Sequence, residues 1–216
     1  MDNAERRVLD PIERVSEILF GLIMVLTFTG SLSVATAGRS EVGEMLVGAI
    51  GCNLAWGIVD AVMYVLTSLV SRGRGLVLLR GVQTAGHAEG ARSAMVSALP
   101  EVVASIMRPS DFETFRERLA ALPAPPPHPR LTGRDLRGAA EVFLLVFLST
   151  FPVIIPFLLF SEASRALRVS NAVAVAMLFL GGVSLGRFSG VHPAALGLAM
   201  AGIGGVLVAI TIALGG

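Results

Sequence analysis

Long runs without charge dominate this chain. They cover residues 18–38, 45–71, 142–160, 169–186 and 188–216, and the second is broken once, by Asp60. A helix of about 20 apolar residues spans roughly 30 Å of hydrocarbon. The backbone must satisfy its own hydrogen bonds at that depth, and unbroken apolar runs of this length are helical. The pattern therefore predicts an all-α membrane protein with five transmembrane helices and a small helical cytosolic insertion between helices 2 and 3. The fifth run is long enough for one helix preceded by a loop at Ser189-Gly190-Val191-His192-Pro193. Four segments follow: a cytosolic N-terminal segment (1–14), a transmembrane hairpin (15–71), the cytosolic insertion with a proline-rich linker (72–138), and helices 3–5 (139–216). The first apolar run lacks a small-residue cleavage site, so it reads as a retained helix and not as a signal peptide.

The insertion has its own punctuation. Ser110, followed by Asp111 and Glu113, predicts a helix start, with the helix running to about Leu122. An earlier helix over about 76–98 is weakened by Gly81, Gly86 and Gly90. Pro123-Ala124-Pro125-Pro126-Pro127-His128-Pro129 predicts an extended linker. The region is too small and too poor in large apolar residues to predict an independent domain. In the last two spans, Gly182 and Gly186, and then Gly197, Ala201 and Gly205, recur every fourth residue. Such spacing allows close helix approach, either within one subunit or across a dimer. Pro152 and Pro156 predict a kinked or loosened third span.

Composition supports the membrane reading. Of 216 residues, 54% are hydrophobic and 15% charged, and the mean hydropathy is +0.75. Soluble domains carry about 25% charged residues. A net charge of +1 argues against a nucleic-acid binder. The single cysteine, Cys52, excludes an intrachain disulfide and a CxxC metal site. Every basic residue is arginine, which reads as a coding bias, but the placement is informative. Fourteen arginines fall on the side holding the N-terminus and the 2–3 and 4–5 loops, against Arg39, Arg165 and Arg168 opposite. The excess predicts a cytosolic N-terminus and an external C-terminus, in keeping with a multi-pass protein of a bacterial inner membrane.

The polar residues within the runs carry the candidate chemistry. An ionisable group at membrane depth costs at least about 2.5–3.5 kcal/mol and is a functional candidate by default. Asp60 lies about ten residues from the cytosolic end of its span, roughly 15 Å deep. Asn53 and Thr67 lie seven residues to either side of it, on the same helix face, with Tyr64 one turn away. Glu13, Glu17, Met24, Thr27 and Ser31 form a matching stripe on span 1. Counted from the cytosolic ends of two antiparallel helices, Met24 and Asp60 arrive at similar depth, with Glu17 and Glu13 as an acidic entrance. Carboxylate oxygen with a thioether suits a divalent transition ion better than Mg²⁺ or Ca²⁺. A desolvated carboxylate could also take a proton when the metal leaves, the basis for exchange. Plainer readings stand beside these. Glu13 and Glu17 fit an interfacial position near Arg14, Met24 fits core filling, and Asp60 fits a structural hydrogen-bonding role. Interfacial positions explain Glu141 and Glu162, and packing explains Cys52. His87, His128 and His192 form no ligand pattern.

These residues resemble the vacuolar iron transporter (VIT) family of five-helix, dimeric divalent-metal/proton exchangers. The stretch FLSTFPVIIPF at 147–157, LFLGG at 178–182 and the Gly/Ala-rich last span carry the likeness. Aligned on Gly21, Met24 takes the place of the family's mid-membrane aspartate, and Glu17 and Glu13 fall on two upstream acids. Aligned on Ala55-Trp56-Gly57-Ile58, Asp60 takes the place of the family's partner methionine. The resemblance thus implies a ligand pair exchanged between the helices. Segment 72–138 departs from the family's glutamate- and methionine-rich metal-binding domain. Its Glu113 and Glu117 read as a solvated face, with Met95 and Met107 its methionines. The implied protein is a homodimeric, non-enzymatic carrier exporting Fe²⁺ or Mn²⁺ from the cytosol in exchange for protons, with no permanent cofactor. Asp60, Met24, Glu17 and Glu13 would be its metal residues, and Asn53, Tyr64, Thr27 and Thr67 its polar path. A non-transporting scaffold that retains the fold, binding a partner or anionic lipid through its arginine-rich segment, is the alternative. A carrier for an organic solute is the third possibility.

Overall fold

The computed structural model describes residues 9–30, 39–84 and 88–213. Every regular element among them is helical: α1 (Pro11–Gly30), α2 (Arg39–Thr84), α3 (Ala88–Ala98), α4 (Glu101–Ile106), α5 (Pro109–Ala120), α6 (Gly133–Leu159), α7 (Ala163–Ser189) and α8 (Pro193–Ala213). Four of these, α2, α6, α7 and α8, are long and apolar enough to cross a membrane, which marks an all-α membrane protein. In α1, any eighteen consecutive residues include Glu13, Arg14 and Glu17. The rest of the predicted first span, beyond Gly30, lies outside the described residues.

Two compact units divide the chain at Tyr64/Val65, inside α2, and again before Gly133. In the first unit, α1, α6, α7 and α8 pack around a core of Leu22, Val25, Leu26, Val153, Ala174 and Leu178, joined by Ala49 of α2. Lipid is as apolar as these side chains, so close van der Waals fit and interhelical hydrogen bonds decide which faces meet. Gly21 of α1 lies against the Val146 carbonyl and the Ser149 hydroxyl of α6. Ser170 of α7 donates to the Val153 carbonyl of α6 at 2.7 Å. The small residues of the last two spans serve the contact between α7 and α8. Gly182 meets Leu196 and Gly197, Gly197 meets Phe179 and Val183, and Gly186 meets Pro193. These three glycines therefore pack inside one chain, whereas Gly205 faces open space. α7 ends on Gly190, whose φ of 72° is the left-handed C-cap conformation that glycine adopts without strain. α6 runs unbroken as a helix through Pro152 and Pro156.

In the second unit, α2 continues past residue 71, where the charge-free run stops, to Thr84. The predicted helix over 76–98 is therefore two elements, the end of α2 and α3. The arginines beyond residue 71 do not break α2, because two of them reach the proline-rich linker. Arg72 donates to the Arg130 carbonyl at 2.7 Å and Arg80 to the Pro126 carbonyl at 2.5 Å. A small core forms from Val82, Ala91, Met95 and Phe112, and the Arg92 guanidinium lies 5.3 Å from the Phe112 ring centre. Gln83 donates to the Leu119 and Leu122 carbonyls at the end of α5. That helix starts at Pro109, slightly before the predicted Ser110, and the Arg108 N–H donates to the Asp111 carboxylate at 2.7 Å.

A side chain at position 21 would collide with the α6 backbone. Gly21→Leu should lower stability by about 1–3 kcal/mol or more, read as a fall in the thermal transition in detergent. Gly205→Ala, with nothing near it, should leave that transition unchanged or slightly higher. Equal transitions for both variants would contradict the packing.

Candidate functional site

The start of α1 fixes Glu13. Asp10 caps the helix, accepting from the Ile12 N–H at 3.2 Å, while Glu13 accepts from the Asp10 N–H at 2.9 Å. With Pro11 as the first helical residue this is a capping box, and the sequence Asp-Pro-Ile-Glu is its signature. Glu13 thus has a structural task at the exposed end of α1 that the sequence reading, which placed it in an acidic entrance, did not assign.

Two contacts set the register of α1 against α2. Phe28 lies over Gly48, and Glu17 lies within electrostatic reach of Asp60, with Glu13 also in reach. The two helices run antiparallel with equal rise per residue. Met24, four residues before Phe28, is therefore level with Cys52 and Asn53, four and five residues after Gly48. Sequence reasoning set Met24 at the depth of Asp60 by counting from the ends of the apolar runs. Side-chain packing brings Glu17 to that depth instead. Neither Glu17 nor Asp60 has an ion pair or hydrogen bond to another described residue. Two half-buried carboxyl groups thus lie within electrostatic reach of each other without a described cation paired to either, an arrangement that a proton or a bound cation would stabilise.

On α2, the residues that flank Asp60 touch α6. Gly57 of α2 lies against the ring and carbonyl of Phe143, and Gly138 of α6 lies under the ring of Tyr64. Phe143 stacks on Phe147, with ring centres 5.7 Å apart, and Phe147 meets Phe151 edge-on at 5.3 Å. Asn53, Gly57, Asp60 and Tyr64 share one stripe of α2, as predicted for the polar members. Tyr64 acts there as a packing ring on Gly138. Thr27 is exposed and its hydroxyl donates to its own helix, to the Ile23 carbonyl at 2.9 Å. Thr67 is exposed and belongs to the second unit. Neither threonine joins the stripe through a described contact.

Asn53 and Thr150 are fully buried, at 0% exposure. Both amide atoms of Asn53 and the Thr150 hydroxyl lack a hydrogen-bond partner among the described residues. An unpaired buried amide or hydroxyl costs roughly 1–3 kcal/mol by protein measurements, and more against hydrocarbon. Thr150 was not singled out from the sequence. The available signal was its position seven residues after Phe143, on the α6 face that meets α2.

The second unit offers no comparable constellation. Met95 is core, Met107 packs against that core, and Glu113 pairs with Arg116 at 2.5 Å. The Arg116 hydrogen bond holds the exposed Glu113 carboxyl below its ordinary value. At the α6–α7 turn, the Ser164 hydroxyl and then Arg165 and Arg168 hold Glu162 below its ordinary value, consistent with an interfacial anchor. Among the described residues no three His, Cys, Asp or Glu side chains lie close enough together to hold a metal ion. Glu17 is within electrostatic reach of both Asp60 and Glu13, but the three form no such cluster.

Fold and site together define an all-helical membrane protein with an acidic pair between its first two helices and unpaired buried polar groups beside it. No protein-family model and no curated protein matches the chain.

The two glutamates of α1 should separate on substitution. Glu13→Ala should cost about 1 kcal/mol through the lost cap and leave any Mn²⁺-dependent rise in thermal stability in place. Glu17→Ala should remove that rise with little loss of basal stability. The reverse assignment of effects would refute the division of roles.

Proposed function

We propose that this chain is a divalent transition-metal carrier of the vacuolar iron transporter type, moving Fe²⁺ or Mn²⁺ out of the cytosol against protons. The observation that carries this reading is the Glu17–Asp60 pair, two carboxylates on facing helices with no described arginine neutralising them. A structural role gives no reason to bring like charges together in an apolar bundle, whereas a cation binder needs them. In this reading α1 is the first of five spans. The N-terminus and the second unit are cytosolic, the C-terminus is external, and the carrier works as a homodimer in a bacterial inner membrane. Asp60 and Glu17 hold the metal and exchange it for protons. Met24 supplies sulfur deeper along the path, and Glu13 stands at the mouth while capping α1.

The alternative, a scaffold that keeps the fold without transport, draws support from the capping task of Glu13 and from the core packing of Met95. Two measurements decide. In proteoliposomes Asp60→Ala should lose at least nine-tenths of Mn²⁺ flux, and an unchanged flux would sink the carrier reading. In detergent, Mn²⁺ should raise the thermal transition of the parent protein in a concentration-dependent way, and Asp60→Asn should blunt that rise. No metal-dependent shift in the parent would favour the scaffold.

A further inference from the structure

Asn53 and Thr150 have no place in the acidic pair. Both are sealed from solvent, and together they present three unpartnered polar atoms. Their faces can be located from the packing. On α2, Gly57 meets Phe143 of α6 and Ala49 joins the core with Leu22 and Val25 of α1. Asn53 lies between these two positions in sequence and in angle, so it points into the junction of α1, α2 and α6. On α6, Thr150 shares the face of Phe143, and it lies one residue beyond Ser149, which meets Gly21 of α1. Thr150 therefore points into the same junction. The register that pairs Gly57 with Phe143 and Tyr64 with Gly138 sets Thr150 within one helical turn of Asn53. Met24 completes the level, being half-buried on the α1 stripe of Glu17 and Phe28 that faces α2.

We infer that Asn53, Thr150 and Met24 form a second, neutral cation site, two helical turns deeper than Glu17 and Asp60, through which the ion passes after leaving the carboxylates. The inference rests on the carrier reading and extends it. The chemistry suits a transit stop. An amide oxygen, a hydroxyl oxygen and a thioether supply dipoles without a formal charge, so they can replace part of the ion's hydration without trapping it. The sulfur tilts the set towards divalent transition ions over Mg²⁺ and Ca²⁺. Burial excludes a protein partner from these atoms, because no other chain can reach a side chain at 0% exposure.

The test uses the full chain in proteoliposomes with Mn²⁺ and Cd²⁺ as the transported probes. Asn53→Leu keeps the number and branching of the side-chain heavy atoms and removes the unpaired amide, so its thermal transition should stay near or above that of the parent. Its maximal Mn²⁺ rate should nevertheless fall at least tenfold, while the Mn²⁺-dependent thermal shift from Glu17 and Asp60 persists. Thr150→Val should lower the rate about threefold or more. Met24→Leu should reduce Cd²⁺ transport at least threefold more than Mn²⁺ transport. Parental rates in Asn53→Leu and Thr150→Val would overturn the inner site while leaving the carrier reading intact. If Asn53→Leu fails to fold, the nearly isosteric Thr150→Val decides by the same criterion. Parent vesicles that carry neither ion would refute the carrier reading, and the inner site with it.

Discussion

Close approach at glycine is the constraint on which this membrane unit depends. Hydrocarbon gives helices no hydrophobic reason to associate, so the contacts that fit best decide which faces meet and at what height. Here those contacts are bare backbone against a large side chain or another backbone: Gly21 against Val146 and Ser149, Gly48 under Phe28, Gly57 against Phe143, and Gly138 under Tyr64. Each is a lock between two of α1, α2 and α6. Together they fix the register of all three helices. The relative levels of Glu17, Asp60, Asn53 and Thr150 follow from that register.

The consequence is a graded polar line. At one level stand the carboxyl groups of Glu17 and Asp60, half-buried, and two turns further stand Met24, also half-buried, and the fully buried Asn53 and Thr150. In the proposed carrier, carboxyl groups near the mouth can collect a cation at tolerable cost, because water still reaches them. Deeper in the bundle a further carboxylate would cost more and hold the ion longer, and neutral donors avoid both effects. The flanking surfaces of α1, α6, α7 and α8 pack around Leu22, Val25, Val153 and Leu178, and the buried Ser170 hydroxyl among them is satisfied by the Val153 carbonyl.

Much of this was legible in the sequence. The charge-free runs located α6, α7 and α8, and the spacing of Asn53, Asp60 and Tyr64 placed them on one face. Helix ends were harder to read. α2 continues through Arg72, Arg74 and Arg80 because a helix with water or linker carbonyls on its flank tolerates charge, and the end of a charge-free run is only the end of its lipid-compatible stretch. The pairing across α1 and α2 was the least legible. Depth counted from run ends put Met24 opposite Asp60, but the seating of Phe28 over Gly48 shifts α1 by about two turns relative to that estimate. No local pattern encodes such a contact. Glu13 shows the converse, since its capping role is written in Asp10-Pro11-Ile12-Glu13 and competes with the more specific reading of an acidic entrance.

The register between α1 and α2 is therefore the claim to test most directly. In a Cys52→Ser background, paired cysteines at 17 and 60, or at 24 and 60, can be treated in membranes with a short bifunctional thiol reagent. The account predicts efficient cross-linking of the 17/60 pair and little of the 24/60 pair. Preferential cross-linking of 24 to 60 would contradict it, and would return Met24 to the side of Asp60.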